Sequence, residues 1–214
     1  MTTVSPPPVK SQAELNGHAA LAPAPVAPEW GNSAPLALIA FGVTTFMLSM
    51  VNANAINAGV APVVFGVALF FGGLAQLLGG LVQLRVGKTF TGVLFTGFGA
   101  FWMSLFAYVQ WFAKAVPAAQ AGHAMGLLLY AFGIFAAIMF LVSFRTNVVV
   151  VAALAVLTAT LFILGVGNYG AHTNVVHWGG YLGILVAAMA FYLATSELAE
   201  EVYERPVLPV WPLS

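Results

Sequence analysis

Few side chains in this protein could do chemistry, and their types exclude more than they admit. The chain has no Asp and no Cys, and no carboxylate falls between Glu29 and Glu197. Paired-acid hydrolysis, carboxylate-held magnesium, thiolate nucleophiles and Cys-ligated metals therefore lie outside its repertoire. No nucleophile, acid and base set can be assembled, so neither an enzyme nor a cofactor is expected. His172 and His177 stand five positions apart, about 140° round a helix, which is not the i, i+4 pair of a zinc helix. They read as outer-mouth groups, either hydrogen-bonded at an interface or protonatable near neutral pH.

Hydroxyls and amides remain. Thr44, Thr45, Ser49, Asn52, Gln76, Gln83, Thr91, Thr96, Thr160 and Asn168 are spread along otherwise apolar sequence. All are neutral, and each can donate a hydrogen bond to an anion without the repulsion of a fixed carboxylate. Such a set suits the passage of a small anion, since a cation path would normally carry acids.

The elements that hold these groups must lie in lipid. Hydrophobic residues make up 61% of the 214 positions and charged ones 6%, against roughly 25% charged in a soluble domain. Six Lys and Arg balance six acids, so no basic footprint suggests nucleic acid. From Pro35 onward six apolar stretches approach the roughly 20 residues needed to cross a bilayer. They run near Pro35 to Ala55, Ala61 to Leu84, Phe90 to Phe112, Ala121 to Phe144, Asn147 to Val166, and Val175 to Ser196. The expected fold is an all-α polytopic membrane protein with a six-helix transport domain at 35–196. Residues 1–34, with six of the twelve prolines, read as a disordered cytoplasmic tail, and 197–214 as a short acidic one.

Lys10, Arg85, Lys88, Arg145 and Arg205 fall on one side of this arrangement and only Lys114 on the other. Basic connections are retained in the cytoplasm, so both termini are expected inside and the first, third and fifth helices run outward. Small residues recur at helical spacing: Ala68, Gly72, Ala75 and Gly79; Gly92, Thr96 and Gly99; Gly179, Gly183 and Ala187. In lipid such stripes let backbones approach closely, within one subunit or between two.

Positions i, i+4, i+7 and i+11 share a helix face. On the first helix that row is Phe41, Thr45, Leu48, Asn52, and on the fifth Leu157, Leu161, Leu164, Asn168. Each places an apolar side chain near mid-membrane about 16 Å below an outer Asn, at roughly 1.5 Å per residue. Phe98 on the third helix lies at similar depth, so Phe41, Phe98 and Leu157 could surround one constriction with Asn52 and Asn168 at its outer mouth. The alternative is that all three are ordinary core residues. Asn32, Ser33 and Pro35 read as a helix cap and first turn, whose free N–H groups could attract an anion at the inner mouth.

Longer motifs add a resemblance. NSAPLAL at Asn32 to Leu38, followed by FGVTTF at Phe41 to Phe46, is similar to the signature of the acetate uptake transporter family. That family includes bacterial succinate-acetate/proton symporters and yeast acetate and ammonia transport proteins. FFGGLAQLLGGL from Phe70, GKTFTGVLFTGFGAFW from Gly87, GNYGAHTNVVHWGGYLG from Gly167, and FYLATSELAEE fit the same family in the same order. The resemblance implies a homohexamer in the plasma or inner membrane, with a path through each protomer for acetate and similar small carboxylates, commonly with protons. It also implies an apolar constriction at Phe41, Phe98 and Leu157. From the polar side chains themselves, Asn32, Thr44, Thr45, Asn52, Gln76, Thr96, Asn168, His172 and His177 are expected along the path. The family commonly reads NPAPLGL, so Ser33 stands for a proline and Ala37 for a glycine, and some members carry tyrosine where Phe98 stands. Passage of ammonia or another small neutral solute is a second reading. A membrane sensor or scaffold using the two tails is a third.

Overall fold

The computed structural model describes residues 30–213; positions 1–29 of the expected N-terminal tail lie outside the described residues. Among the described residues six helices are long and apolar enough to cross a membrane. They are α1 (Ala34–Asn52), α2 (Ala58–Arg85), α3 (Thr89–Ala115), α4 (Ala118–Arg145), α5 (Val148–Tyr169) and α6 (Thr173–Tyr203). Local chemistry sets their ends. Pro35 and Pro62 sit in the first turns of α1 and of the α-helical part of α2, where a missing N–H costs nothing. The Asn147 carboxamide oxygen accepts from the Val150 N–H at 2.9 Å and caps α5. Gly87, at φ +82°, makes the tight turn from α2 to α3 in a region that favours glycine.

Each helix packs on its neighbours in sequence, and α1 closes the circle against α6. The short connections make consecutive helices antiparallel, so α1, α3 and α5 run in one direction. Close approach is achieved through small residues. A Cβ on Gly180 would collide with the Ala53 backbone nitrogen, and one on Gly183 with the Ser49 hydroxyl, so α6 lies directly on α1. A Cβ on Gly79 would stand 3.2 Å from that of Ala37. These small-residue stripes thus serve packing within the chain. A π-helical stretch over Ala68–Ala75 in α2 turns adjacent glycines both ways, Gly72 onto Thr44 of α1 and Gly73 onto Met103 of α3. On α4, Leu127, Ile134, Ile138 and Leu141 are exposed along one face, as a lipid-facing surface requires.

The last helix is longer than its apolar run. Strong helix formers at Glu197, Leu198, Ala199, Glu200 and Glu201 carry it past Ser196, and it stops only at Glu204, which adopts a left-handed conformation before Pro206. The residues beyond fold back. Tyr192 donates to the Pro209 carbonyl at 2.8 Å, the Val148 N–H to Trp211 at 3.0 Å, and the Leu213 N–H to Thr146 at 2.8 Å. The stretch read as an acidic tail is therefore helix up to Tyr203, followed by a strap tied to α6 and to the start of α5.

Candidate functional site

Two cavities lie inside the circle of helices. The larger, about 240 Å³, is lined on α1 by Thr45, Leu48, Ser49 and Asn52, on α3 by Phe101, Trp102 and Leu105, and on α5 by Thr160, Leu161, Leu164 and Asn168. The smaller, about 80 Å³, is lined by Leu38 of α1, Phe90, Thr91, Leu94 and Phe95 of α3, Val150, Ala153 and Leu154 of α5, and Val186, Ala190, Leu193 and Glu197 of α6. Phe41, Phe98 and Leu157 line both. On each of α1, α3 and α5 the other residues of the larger cavity follow this shared position in sequence, and those of the smaller cavity precede it. Because the three helices are parallel, the shared residues form one layer with a cavity on either side.

That layer is packed through its aromatic edges. The Phe41 and Phe98 ring centres are 5.6 Å apart at 63°, and Phe98 also meets Phe135 of α4 at 5.2 Å, both edge-to-face. Phe98 is 2% exposed, Phe41 8% and Leu157 7%. None has a polar atom to offer, so an ion meeting this layer would lose its water and gain nothing in return.

The larger cavity holds the polar groups of the α1 and α5 rows. Asn52 and Asn168 are half-buried there. The Asn168 amide donates one of its two hydrogens to the Leu164 carbonyl at 2.8 Å and keeps the other for a guest, whereas the Thr160 hydroxyl has given its hydrogen to the Val156 carbonyl at 2.7 Å and can only accept. The Thr45 hydroxyl and the Trp102 indole N–H are buried in the wall with no partner. Each is a donor held in reserve at an energetic cost of about 1–3 kcal/mol.

Other sequence-expected groups lie elsewhere. Thr44 is fully buried, donates to the Ala40 carbonyl at 2.8 Å and packs on Gly72, so its hydroxyl is satisfied at the α1–α2 crossing. Thr96 faces Gly80 where α2 meets α3. Gln76 is 1% exposed, and its carboxamide oxygen has no partner. None of the three lines either cavity. His172 is an exposed residue at the start of α6, and His177 is half-buried on its first turns; neither borders a cavity.

At the smaller cavity's end of the helices, amides and hydroxyls lock three elements together. The Gln83 amide, wholly buried, donates to Asn32 and to Ser33, both at 3.0 Å, while its oxygen accepts from Thr91 at 2.9 Å. Ser33 does not cap α1 with its side chain and instead donates to the Gly79 carbonyl at 2.8 Å. Asn32 accepts from the Ala34 N–H at 3.1 Å and donates to the Glu197 carboxylate at 2.9 Å. The anion beside this helix start is thus the chain's own. Glu197 and Trp102 were not among the residues expected from sequence. Both lie on rows that the helical spacing rule would have found: Val186, Ala190, Leu193, Glu197 on α6, and Phe98, Trp102, Leu105 on α3.

Comparison with known proteins agrees with this architecture. Residues 13–214 match the GPR1/FUN34/yaaH family. The succinate-acetate/proton symporter SatP of Escherichia coli is 31% identical over 84% of this chain and 94% of its own length. The ammonia transport outward protein 2 of Saccharomyces cerevisiae is 36% identical over 84% of this chain. The chain spans 65% of the length of that protein and of a second yeast relative, the accumulation of dyads protein 2. The solved structure of the bacterial acetate channel SatP superposes with a TM-score of 0.79 at 30% identity, covering 85% of this chain and 99% of that one. This multi-pass membrane protein therefore belongs to the GPR1/FUN34/yaaH family, the acetate uptake transporter family whose motifs its sequence carries.

Proposed function

We propose that this protein moves acetate and related small carboxylates across the cell membrane, along a path inside each protomer that runs from the larger cavity, past Phe41, Phe98 and Leu157, to the smaller one. The observation that carries this reading is the layout of the two cavities, which share those three apolar residues and no others. A carboxylate can be held on the polar side by hydroxyl and amide donors such as Thr45, Asn52 and Asn168. Crossing the apolar layer as an anion is costly, and crossing as the neutral acid is not. Movement of the protonated substrate therefore couples a proton to each carboxylate without an acid in the middle of the bundle.

Among the described residues Arg85, Lys88, Arg145 and Arg205 lie at the end of the helices that holds the smaller cavity and Lys114 at the other, which supports a cytoplasmic position for that end and for both termini. Exposed apolar faces such as that of α4 suit both lipid and neighbouring protomers, and a hexamer is the assembly the family resemblance implies. The test is uptake of labelled acetate into proteoliposomes holding the purified protein, stimulated by an acidic exterior. Equal uptake into protein-free vesicles would overturn the reading.

A second reading has support in the yeast relative named for ammonia transport. Ammonia, like acetic acid, is neutral and small enough for an apolar layer. A pH-dye assay with ammonium and with acetate separates the two, and a response to ammonium alone favours the second.

A further inference from the structure

The middle of the chain is without carboxylates, yet one carboxylate faces the path. Glu197 lines the smaller cavity together with Thr91, Leu154, Leu193 and the shared layer. One of its oxygens accepts from Asn32 at 2.9 Å. Asn32 is itself fixed by the buried Gln83 and by the Ala34 N–H, so the carboxylate is oriented by a network that spans α1, α2, α3 and α6. The charged groups that face it are Lys88, in the turn between α2 and α3, and Glu200 on its own helix. Just before α1 stands the Asn32 amide; α1 itself brings Leu38 and Phe41 to the cavity, and α5 brings Val150, Ala153, Leu154 and Leu157, none of which titrates.

A fixed negative charge here would repel a carboxylate anion, so its presence on an anion path calls for a role. We propose that Glu197 is the proton acceptor of the inner cavity, taking the proton from each carboxylic acid that has passed the apolar layer. The inference rests on the transport reading above. The O–H bond of the acid breaks and its electron pair stays on the substrate oxygen. A new O–H bond forms on a Glu197 oxygen, and the proton then leaves to water on the cytoplasmic side. Donor and acceptor are both carboxyl groups, so their intrinsic affinities match within about a unit and the transfer needs little driving force. A substrate anion beside a neutral Glu197 leaves freely. A cytoplasmic anion must regain a proton there before it can return, so the step runs in both directions and the proton gradient sets the net movement.

The experiment measures labelled acetate uptake into proteoliposomes sorted for one orientation, with exterior pH held acidic and interior pH varied. Initial uptake by the unaltered protein should rise several-fold as the interior is raised from about pH 3.5 to about pH 6, a range that brackets the ordinary carboxyl value. In Glu197→Gln, which keeps an acceptor for Asn32 but cannot titrate, the response should flatten to within about twofold. Glu197→Asp retains a carboxyl and should retain the response. Glu201→Gln, which removes an exposed charge of the same helix that is not among those facing Glu197, should leave it unchanged. A Glu197→Gln profile that follows the unaltered one overturns the proposal. If that variant does not assemble, Asn32→Ala removes the donor to the carboxylate and must displace the interior-pH profile, an undisplaced profile being equally fatal. Absence of protein-dependent uptake at every pH is a different result and overturns the transport reading itself.

Discussion

The two cavities differ in the kind of solvent they offer. The larger, about 240 Å³, presents Thr45, Ser49, Asn52, Thr160 and Asn168, all neutral. The smaller, about 80 Å³, is almost wholly apolar and carries one acid at its far end. Hydroxyls and amides hold an anion without binding it tightly, whereas an apolar chamber with a carboxylate admits neutral acids and disfavours anions. On the proposed reading, a carboxylate would rest as the anion in the larger cavity, cross Phe41, Phe98 and Leu157 as the neutral acid, and give up its proton in the smaller one.

Filling that layer is the most forceful way to break the contrast. Leu157→Trp adds bulk where both cavities meet and should reduce acetate flux by tenfold or more, about 1.4 kcal/mol or more of added barrier. Retained oligomeric state on size exclusion will separate blockage from misfolding. Leu157→Ala acts oppositely: it should cost about 2–5 kcal/mol of stability and admit longer carboxylates, read as competition by butyrate against labelled acetate.

The lock at the end of the smaller cavity can be opened next. Gln83→Ala strands Asn32, Ser33 and Thr91, each of which now bonds to the Gln83 side chain. It should lower the melting temperature in detergent by an amount equivalent to about 2–4 kcal/mol. The corresponding change in the larger cavity should behave differently. Thr45→Val removes a buried hydroxyl that has no partner, so stability should hold or rise by up to about 1 kcal/mol. Its cost should appear in the KM for acetate, as an increase of a few-fold.

The α1 and α5 rows could be read from the i, i+4, i+7, i+11 spacing that joins Phe41 to Asn52 and Leu157 to Asn168. Thr44 and Thr45 show the limit of that reasoning. They are about 100° apart on one helix, and only the position of Gly72 decides which of them faces α2 and which the cavity. Glu197 escaped because the loss of apolar character after Ser196 looks like the end of a span, although α6 continues and carries it on the face of Val186, Ala190 and Leu193. The C-terminal strap depends on contacts such as Tyr192 to Pro209, which no periodicity encodes. Trp102 resembles any core aromatic until its indole N–H is found without a partner.

Because the chain has no cysteine, the division between the cavities can be measured directly. Leu48→Cys in the larger cavity and Ala153→Cys in the smaller can each be tested with a membrane-impermeant thiol reagent applied to one face of oriented vesicles at a time. Leu48→Cys should react only from outside and Ala153→Cys only from the cytoplasmic side. Labelling of both from the same face would contradict an apolar layer between two separate chambers.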